Sequence, residues 1–231
     1  MPIPKKYLAD FEEECIYHIY NRTNNHEKLF VTNDNRLFFL KRFKEILSPF
    51  IDTYCWNLLP NHFHFLIKVK SEEAILEYLQ SKPQKELTIT EQNFLVQSVA
   101  NFPKVDNTVL TFSQLIENTF KRFFQSYSLA FNRQHCRQGN LFYKPFKRVR
   151  IDKDSQFTMA VIYFHANAAK HKLVKDFTTY EWSSWHSFIS NQPTTLLRDE
   201  IINWFGNLEV LIKTHKEMAA YYYDSIVAIE N

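Results

Sequence analysis

The run Leu59-Pro60-Asn61-His62-Phe63-His64-Phe65-Leu66-Ile67 constrains this chain more than any other stretch. Pro60-Asn61 reads as a tight turn, and His62 to Val69 as a strand. Side chains alternate along a strand, so Phe63, Phe65, Ile67 and Val69 enter a core on one face. His62, His64, Leu66 and Lys68 share the other. Two imidazoles side by side can hold a borderline divalent cation. A pair of half-buried histidines bonded to backbone would leave the same pattern, so the triplet needs a third ligand and a reaction to mean more.

The surrounding chain supplies a fold for that strand. Ile16 to Tyr20 reads as a first short strand. From Asp34 to Leu47 the apolar residues Leu37, Phe38, Leu40, Phe43, Ile46 and Leu47 recur at helical spacing, with Pro49 beyond as the stop. Ile51 to Leu58 is a second strand, hairpin-paired with His62 to Val69, and Glu72 to Leu79 a short helix. The segment 81–111 reads as a surface insertion with a helix near Glu91 to Val99 and a loop through Pro103. A long helix from Ser113 to Phe131 follows, its aromatics spaced for a core. Phe146 to Ile151 is a fourth strand, and a helix capped by Asp154 or Ser155 runs to Ala169 with the stripe Phe157, Val161, Phe164 and Ala168. Strand-helix-strand-strand-helix-strand is the split βαβ order, so the expected fold class is α+β, a ferredoxin-like antiparallel sheet with packed helices. The expected organisation is a domain over 11–190, with the insertion at 81–111, and a helical extension over 191–231 with its helix from Leu208 to Ile226.

Composition removes several alternatives. Phe is heavy at 22 and Gly light at 2 among 231 residues. With only Gly139 and Gly206, neither a P-loop nor a dinucleotide fingerprint can be written, and there is no Gly-x-Ser-x-Gly elbow. Cys15, Cys55 and Cys136 are odd in number and far apart, unlike a disulfide framework or a zinc knuckle. The start carries no apolar leader and no stretch is long enough to span a membrane, so a cytoplasmic protein without membrane contact is expected. The net charge is only +3, yet between Lys121 and Lys153 nine bases stand against Asp152 alone. The rest of the chain is therefore net acidic. One basic segment in an acidic protein suits a docked polyanion, and a solvated face would look the same.

On the helix after the basic segment, Tyr163 and Asn167 are four apart and so neighbours on one face, distinct from the apolar stripe. Together with Leu59 to Ile67, with Gly139-Asn140-Leu141-Phe142 followed by Pro145-Phe146-Lys147-Arg148, and with Trp182-Ser183-Ser184-Trp185, the motif Tyr163-Phe164-His165-Ala166-Asn167 resembles the single-tyrosine HUH transposases, most of all the REP-associated tyrosine transposase branch. The likeness spans Tyr17 to Phe188 with the motifs in order. It departs at Asn167-Ala168, where relatives often have Asn-Pro, and at Asn21 to Asn25, where many carry a glycine.

The resemblance implies an enzyme that cuts and rejoins single-stranded DNA at hairpin-bearing element ends. His62, His64 and Asn167 would bind Mg²⁺ or Mn²⁺, and Tyr163 would attack a phosphodiester to leave a 5′-phosphotyrosine and a 3′-hydroxyl. His165 and His171 are substitutes for the third ligand. The basic residues Arg133, Arg137, Lys144, Lys147, Arg148 and Arg150 would hold the DNA backbone, while Phe142 and Tyr143 stack on unpaired bases or pack beneath the loop. A homodimer with the tyrosine helix exchanged is compatible with this reading. Two alternatives stand beside it: a domesticated hairpin-binding protein that does not cut, and an unrelated histidine-metal phosphodiesterase in which Tyr163 is structural.

Overall fold

The protein is described by a computed structural model covering residues 4–99 and 109–230, with side chains described except at 5, 26, 99 and 220–230. The expected loop through Pro103 lies outside the described residues. Four strands, β1 (Ile16–Arg22), β2 (Ile51–Leu59), β3 (His62–Val69) and β4 (Lys147–Ile151), form one sheet in the order β2-β3-β1-β4, every pair antiparallel. Helix α1 (Asn33–Leu47) connects β1 to β2. Helices α2 (Glu72–Gln80), α3 (Ile89–Val99) and α4 (Phe112–Gln134) lie between β3 and β4. This is the ferredoxin-like α+β arrangement.

The alternation of β3 decides the layers. Phe63, Phe65, Ile67 and Val69 join a core with α1 and α4, where Phe43 stacks on Phe65 at 4.0 Å between ring centroids. The aromatics of α4 are core, buried from Leu115 to Phe131. Helix α1 starts where the Thr32 hydroxyl accepts from the backbone N–H of Asn35, and the Asn35 side chain accepts in return from Thr32.

On the opposite face lies α5 (Asp154–Lys170). Leu66, Tyr54 and Cys55 from the sheet meet Phe157, Val161 and Phe164 of this helix. Its N-terminus differs from expectation. The Gln156 carboxamide oxygen accepts from the backbone N–H groups of Asp152 and Lys153, so neither Asp154 nor Ser155 is the cap. The face bearing Tyr163 and Asn167 is not a separate polar stripe either. Every residue from Ala160 to Ala168 is buried, because α5 is held between the sheet and α8 (Leu208–Glu230).

Between α5 and α8 come α6 (Trp185–Ile189) and α7 (Arg198–Trp204), neither expected from the aromatic spacing of that segment. The residues before α6 close the sheet edge. The Leu58 N–H donates to the Trp182 carbonyl at 2.8 Å and the Ser184 N–H to the Trp56 carbonyl at 2.9 Å. Strand β2 therefore does not end in open backbone groups along that stretch.

Candidate active site

Helix α5 brings Tyr163 to the histidine face of β3. The Tyr163 ring lies 5.8 Å from the His64 ring, edge to face, and the His171 ring lies 5.0 Å from that of His62. Asn167 occupies the helical turn between Tyr163 and His171, so it is bracketed by two contacts to the imidazole pair. His64, Tyr163 and Asn167 form a buried floor, at 1%, 2% and 0% exposure, whereas His62 is half-buried and His171 exposed at the mouth. His165, two residues from Tyr163, points away. Its Nδ1 meets His215 Nε2 of α8 at 3.0 Å and its Nε2 meets the Ser184 hydroxyl at 2.9 Å. It is a strut of the helix rather than a substitute ligand.

Each imidazole of β3 has its Nδ1 in a hydrogen bond. His62 Nδ1 donates to the Asn61 carboxamide oxygen at 2.7 Å, which places its lone pair on Nε2. His64 Nδ1 is 2.9 Å from His18 Nε2, and with the proton on His64 Nδ1 this bond again leaves the lone pair on Nε2. Partners of this kind fix the tautomer and ring orientation of metal-binding histidines. Burial pushes His18 and His62 down to about 3, with the Lys147 charge adding to the effect at His18 and His171, Lys170 and Arg22 adding to it at His62. Burial likewise pushes His64 well below the ordinary histidine range, and His171 below it. All four are neutral at pH 7, the form in which imidazole ligates.

The donor set fits a divalent ion by a further observation. Both the oxygen and the nitrogen of the Asn167 carboxamide are buried without a hydrogen-bond partner among the described residues. An unpaired buried polar group costs about 1–3 kcal/mol, so a group of this kind asks for a role. Among the described residues no three His, Cys, Asp or Glu side chains gather as a metal site. The Asn167 carboxamide oxygen is a candidate third donor beside His62 and His64.

Three side chains around this floor carry positive charge. Lys170 Nζ donates to the Tyr163 hydroxyl at 3.3 Å and sits 4.6 Å from its ring centroid. Lys147 reaches over the Tyr20 ring at 5.2 Å, in the strand row shared by Tyr20 and His64. Arg22 pairs opposite His62 in the sheet and stacks on Tyr143 at 4.9 Å. Lys170 and Arg22 escaped the reading of the sequence, although signals for both exist. Positions 163, 167 and 170 share one face at i, i+4 and i+7, and an antiparallel pairing of β1 with β3 brings Arg22 to His62.

The expected DNA-binding set divides. Arg133, Tyr143 and Lys144 are exposed. Arg148 is instead buried, donating to the Ala9 carbonyl at 2.6 Å and pairing with Glu117 at 2.9 Å, because alternation along β4 turns it to the α4 side. Phe142 is buried in the main core against Phe124 at 5.1 Å, the packing alternative for that residue. Arg137 is tied to Glu27 and to the carbonyls of Gln138, Gly139 and Asn140, clamping the loop. Arg150 pairs with Glu12 and Asp152 at the far end of the sheet. There it lines a cleft of about 470 Å³ with Glu14, Tyr54, Glu200 and Trp204, which none of His62, His64, Tyr163 or Asn167 touches.

The loop lacking a glycine has a local solution. Asn25 takes φ 57°, ψ 21°, the left-handed region that asparagine tolerates better than other side chains. The loop over 139–145 is stitched to it, with the Asn24 N–H donating to the Leu141 carbonyl and the Tyr143 N–H to that of Arg22, each at 3.0 Å.

No protein-family model matches this chain, and no curated protein does. Among solved structures, it is similar to one described as the structure of the REP-associated tyrosine transposase bound to a REP hairpin. The TM-score is 0.50 at 15% sequence identity, covering 80% of this chain and 86% of that one. At that identity the likeness speaks for the fold. The chain therefore builds an α+β fold on a four-stranded antiparallel sheet, similar in fold to that structure. Among the described residues no helix is long and apolar enough to cross a membrane.

Proposed function

We propose that this chain is a single-tyrosine DNA endonuclease and strand transferase of the HUH superfamily, of the REP-associated type. It would act on single-stranded DNA at hairpin-bearing ends through a 5′-phosphotyrosine. The observation that carries the reading is the Tyr163 ring 5.8 Å from His64 within one chain, with an unpartnered Asn167 carboxamide one turn away. The similarity of fold to a hairpin-bound transposase supports it.

The residues divide the work. His62, His64 and Asn167 would hold Mg²⁺ or Mn²⁺, which when bound supplies Lewis acidity at a phosphate oxygen. Tyr163 forms the new ester bond to phosphorus as the bond to O3′ breaks. Phenols are poor nucleophiles at neutral pH, so the phenol oxygen needs a positive neighbour and a fixed approach. Lys147, Arg22 and the exposed Arg133 and Lys144 would neutralise backbone phosphates, and Tyr143 stacked on Arg22 offers a face to an unpaired base. The ester conserves the energy of the phosphodiester, so a 3′-hydroxyl can reverse the attack without a nucleotide cofactor.

The test is covalent capture. A pool of single-stranded oligonucleotides, each with a short hairpin and random flanks, is incubated with the protein and Mg²⁺ or Mn²⁺. A protein–DNA adduct is expected, and Tyr163→Phe should form none; an undiminished adduct in that variant refutes the assignment. The burial of Tyr163 favours a second reading, a hairpin-binding protein that does not cut. In that case the metal changes the mobility of the DNA on a gel and never its length.

A further inference from the structure

Lys170 has no place in the metal set, yet its ammonium reaches the phenol. Its ammonium donates to the Tyr163 oxygen at 3.3 Å while lying 4.6 Å from the ring centroid. Long side chains on a helix lean toward its N-terminus, so Lys170 runs back across the turn of Asn167 to reach the phenol two turns away. The side chain is half-buried, which strengthens its electrostatic interaction relative to bulk water.

Resting on the cutting reading above, we infer that Lys170 is a catalytic residue for both directions of strand transfer, holding the charge of the tyrosine oxygen as nucleophile and as leaving group. In the forward step the phenol gives its proton to water. The oxygen's electron pair forms the bond to phosphorus, and the bond to O3′ breaks with its pair on O3′, which takes a proton from water. Lys170 keeps its three protons throughout and stabilises the phenolate before attack. In reverse, a 3′-hydroxyl gives up its proton to water and attacks the phosphotyrosine. Tyr163 departs as phenolate beside the same ammonium and then takes a proton from water. One cation thus serves two half-reactions, since the oxygen is anionic at the start of one and the end of the other.

Removing one preorganised donor of this kind typically costs on the order of 10²–10³ in rate. The experiment compares the parent with Lys170→Met and Lys170→Arg on the same hairpin oligonucleotide pool, measuring adduct formation and adduct reversal at saturating DNA, DNA affinity, and Mn²⁺ affinity. Lys170→Met should slow both half-reactions by about a hundredfold without weakening the affinity for Mn²⁺, and Lys170→Arg should restore part of the rate. If instead Lys170→Met weakens DNA binding while the rates at saturation stay at the parent's, Lys170 is a backbone contact and the inference falls. Equal rates in parent and Lys170→Met overturn it as well, leaving the cutting reading intact. A parent that forms no adduct overturns that reading, and this one with it.

Discussion

Replacing Asn167 by leucine separates what this residue does for the fold from what it does for a metal. Leucine has the same branching and the same number of heavy atoms as asparagine, in a larger volume and with no polar atoms. The Asn167 side chain is fully buried, with both its oxygen and its nitrogen lacking a partner among the described residues. Each such atom costs about 1–3 kcal/mol, and allowing for imperfect packing of the replacement a net gain of about 2 kcal/mol follows in metal-free buffer. For a chain of this size that is a rise of ~4–8 °C in the unfolding midpoint. Metal reverses the order. At a hundred times its dissociation constant, Mn²⁺ stabilises a protein that binds it by about 2.7 kcal/mol. The parent should gain that increment and Asn167→Leu should gain far less. Thermal unfolding of both proteins in chelator and in a Mn²⁺ series measures all four states. A variant less stable than the parent in chelator, or one shifted by Mn²⁺ as far as the parent, refutes the reasoning.

Three further outcomes concern groups away from the phenol. Arg148→Ala should cost about 3 kcal/mol of stability, since it breaks a buried ion pair, and leave DNA affinity untouched; Arg133→Ala with Lys144→Ala should do the opposite, flattening the salt dependence of DNA binding in filter or fluorescence titrations. His215 is held down to about 4 by burial, against an ordinary value of 6.5. As pH falls the unfolded chain takes up the proton first, so stability is fully present above 6.5 and is lost progressively down to about 4. The loss is about 3 kcal/mol for this group, and His215→Gln should remove that share from denaturant midpoints measured across the window.

Much of the fold was legible because it rests on periodicity. The alternation in His62 to Val69 assigned both faces of β3, and the helical spacing of α4 identified its aromatics as core. Charge placement was less legible, because a strand's bases alternate faces just as its apolar residues do. Arg148 and Lys147 are adjacent in sequence, yet one is buried against Glu117 and the other crosses Tyr20 on the histidine face. The partners that orient the site were invisible for another reason. His18 meets His64, and His215 meets His165, only through strand register and helix packing across 46 and 50 residues. Local pattern carries no such information. The motif Trp182-Ser183-Ser184-Trp185 likewise carried no obvious structural task until Ser184 was seen to join the edge of β2 and hold His165.

The charge balance of the site leads to a last prediction, which rests on the proposed reading. His62, His64 and Asn167 are all neutral donors, so none of them offsets any charge of a divalent ion. Lys147, Lys170 and Arg22 surround the same floor with three more positive charges. Carrying a divalent cation into a half-buried site of this sign is costly unless an anion arrives with it. A DNA phosphate is that anion. Binding of the ion and of the strand should therefore be positively coupled, and coupling is reciprocal: DNA raises Mn²⁺ affinity by the factor by which Mn²⁺ raises DNA affinity. Couplings of this kind are typically about 1–3 kcal/mol, or roughly 5–150-fold. Titrating Mn²⁺ by paramagnetic relaxation with and without a saturating hairpin oligonucleotide, and the oligonucleotide with and without Mn²⁺, gives both factors. Lys170→Met should shrink them, because one of the repelling charges is gone. Mn²⁺ binding that is equally tight in the absence of DNA would mean that the ion finds its counter-charge in the protein, and the arrangement of donors argued for here would be wrong.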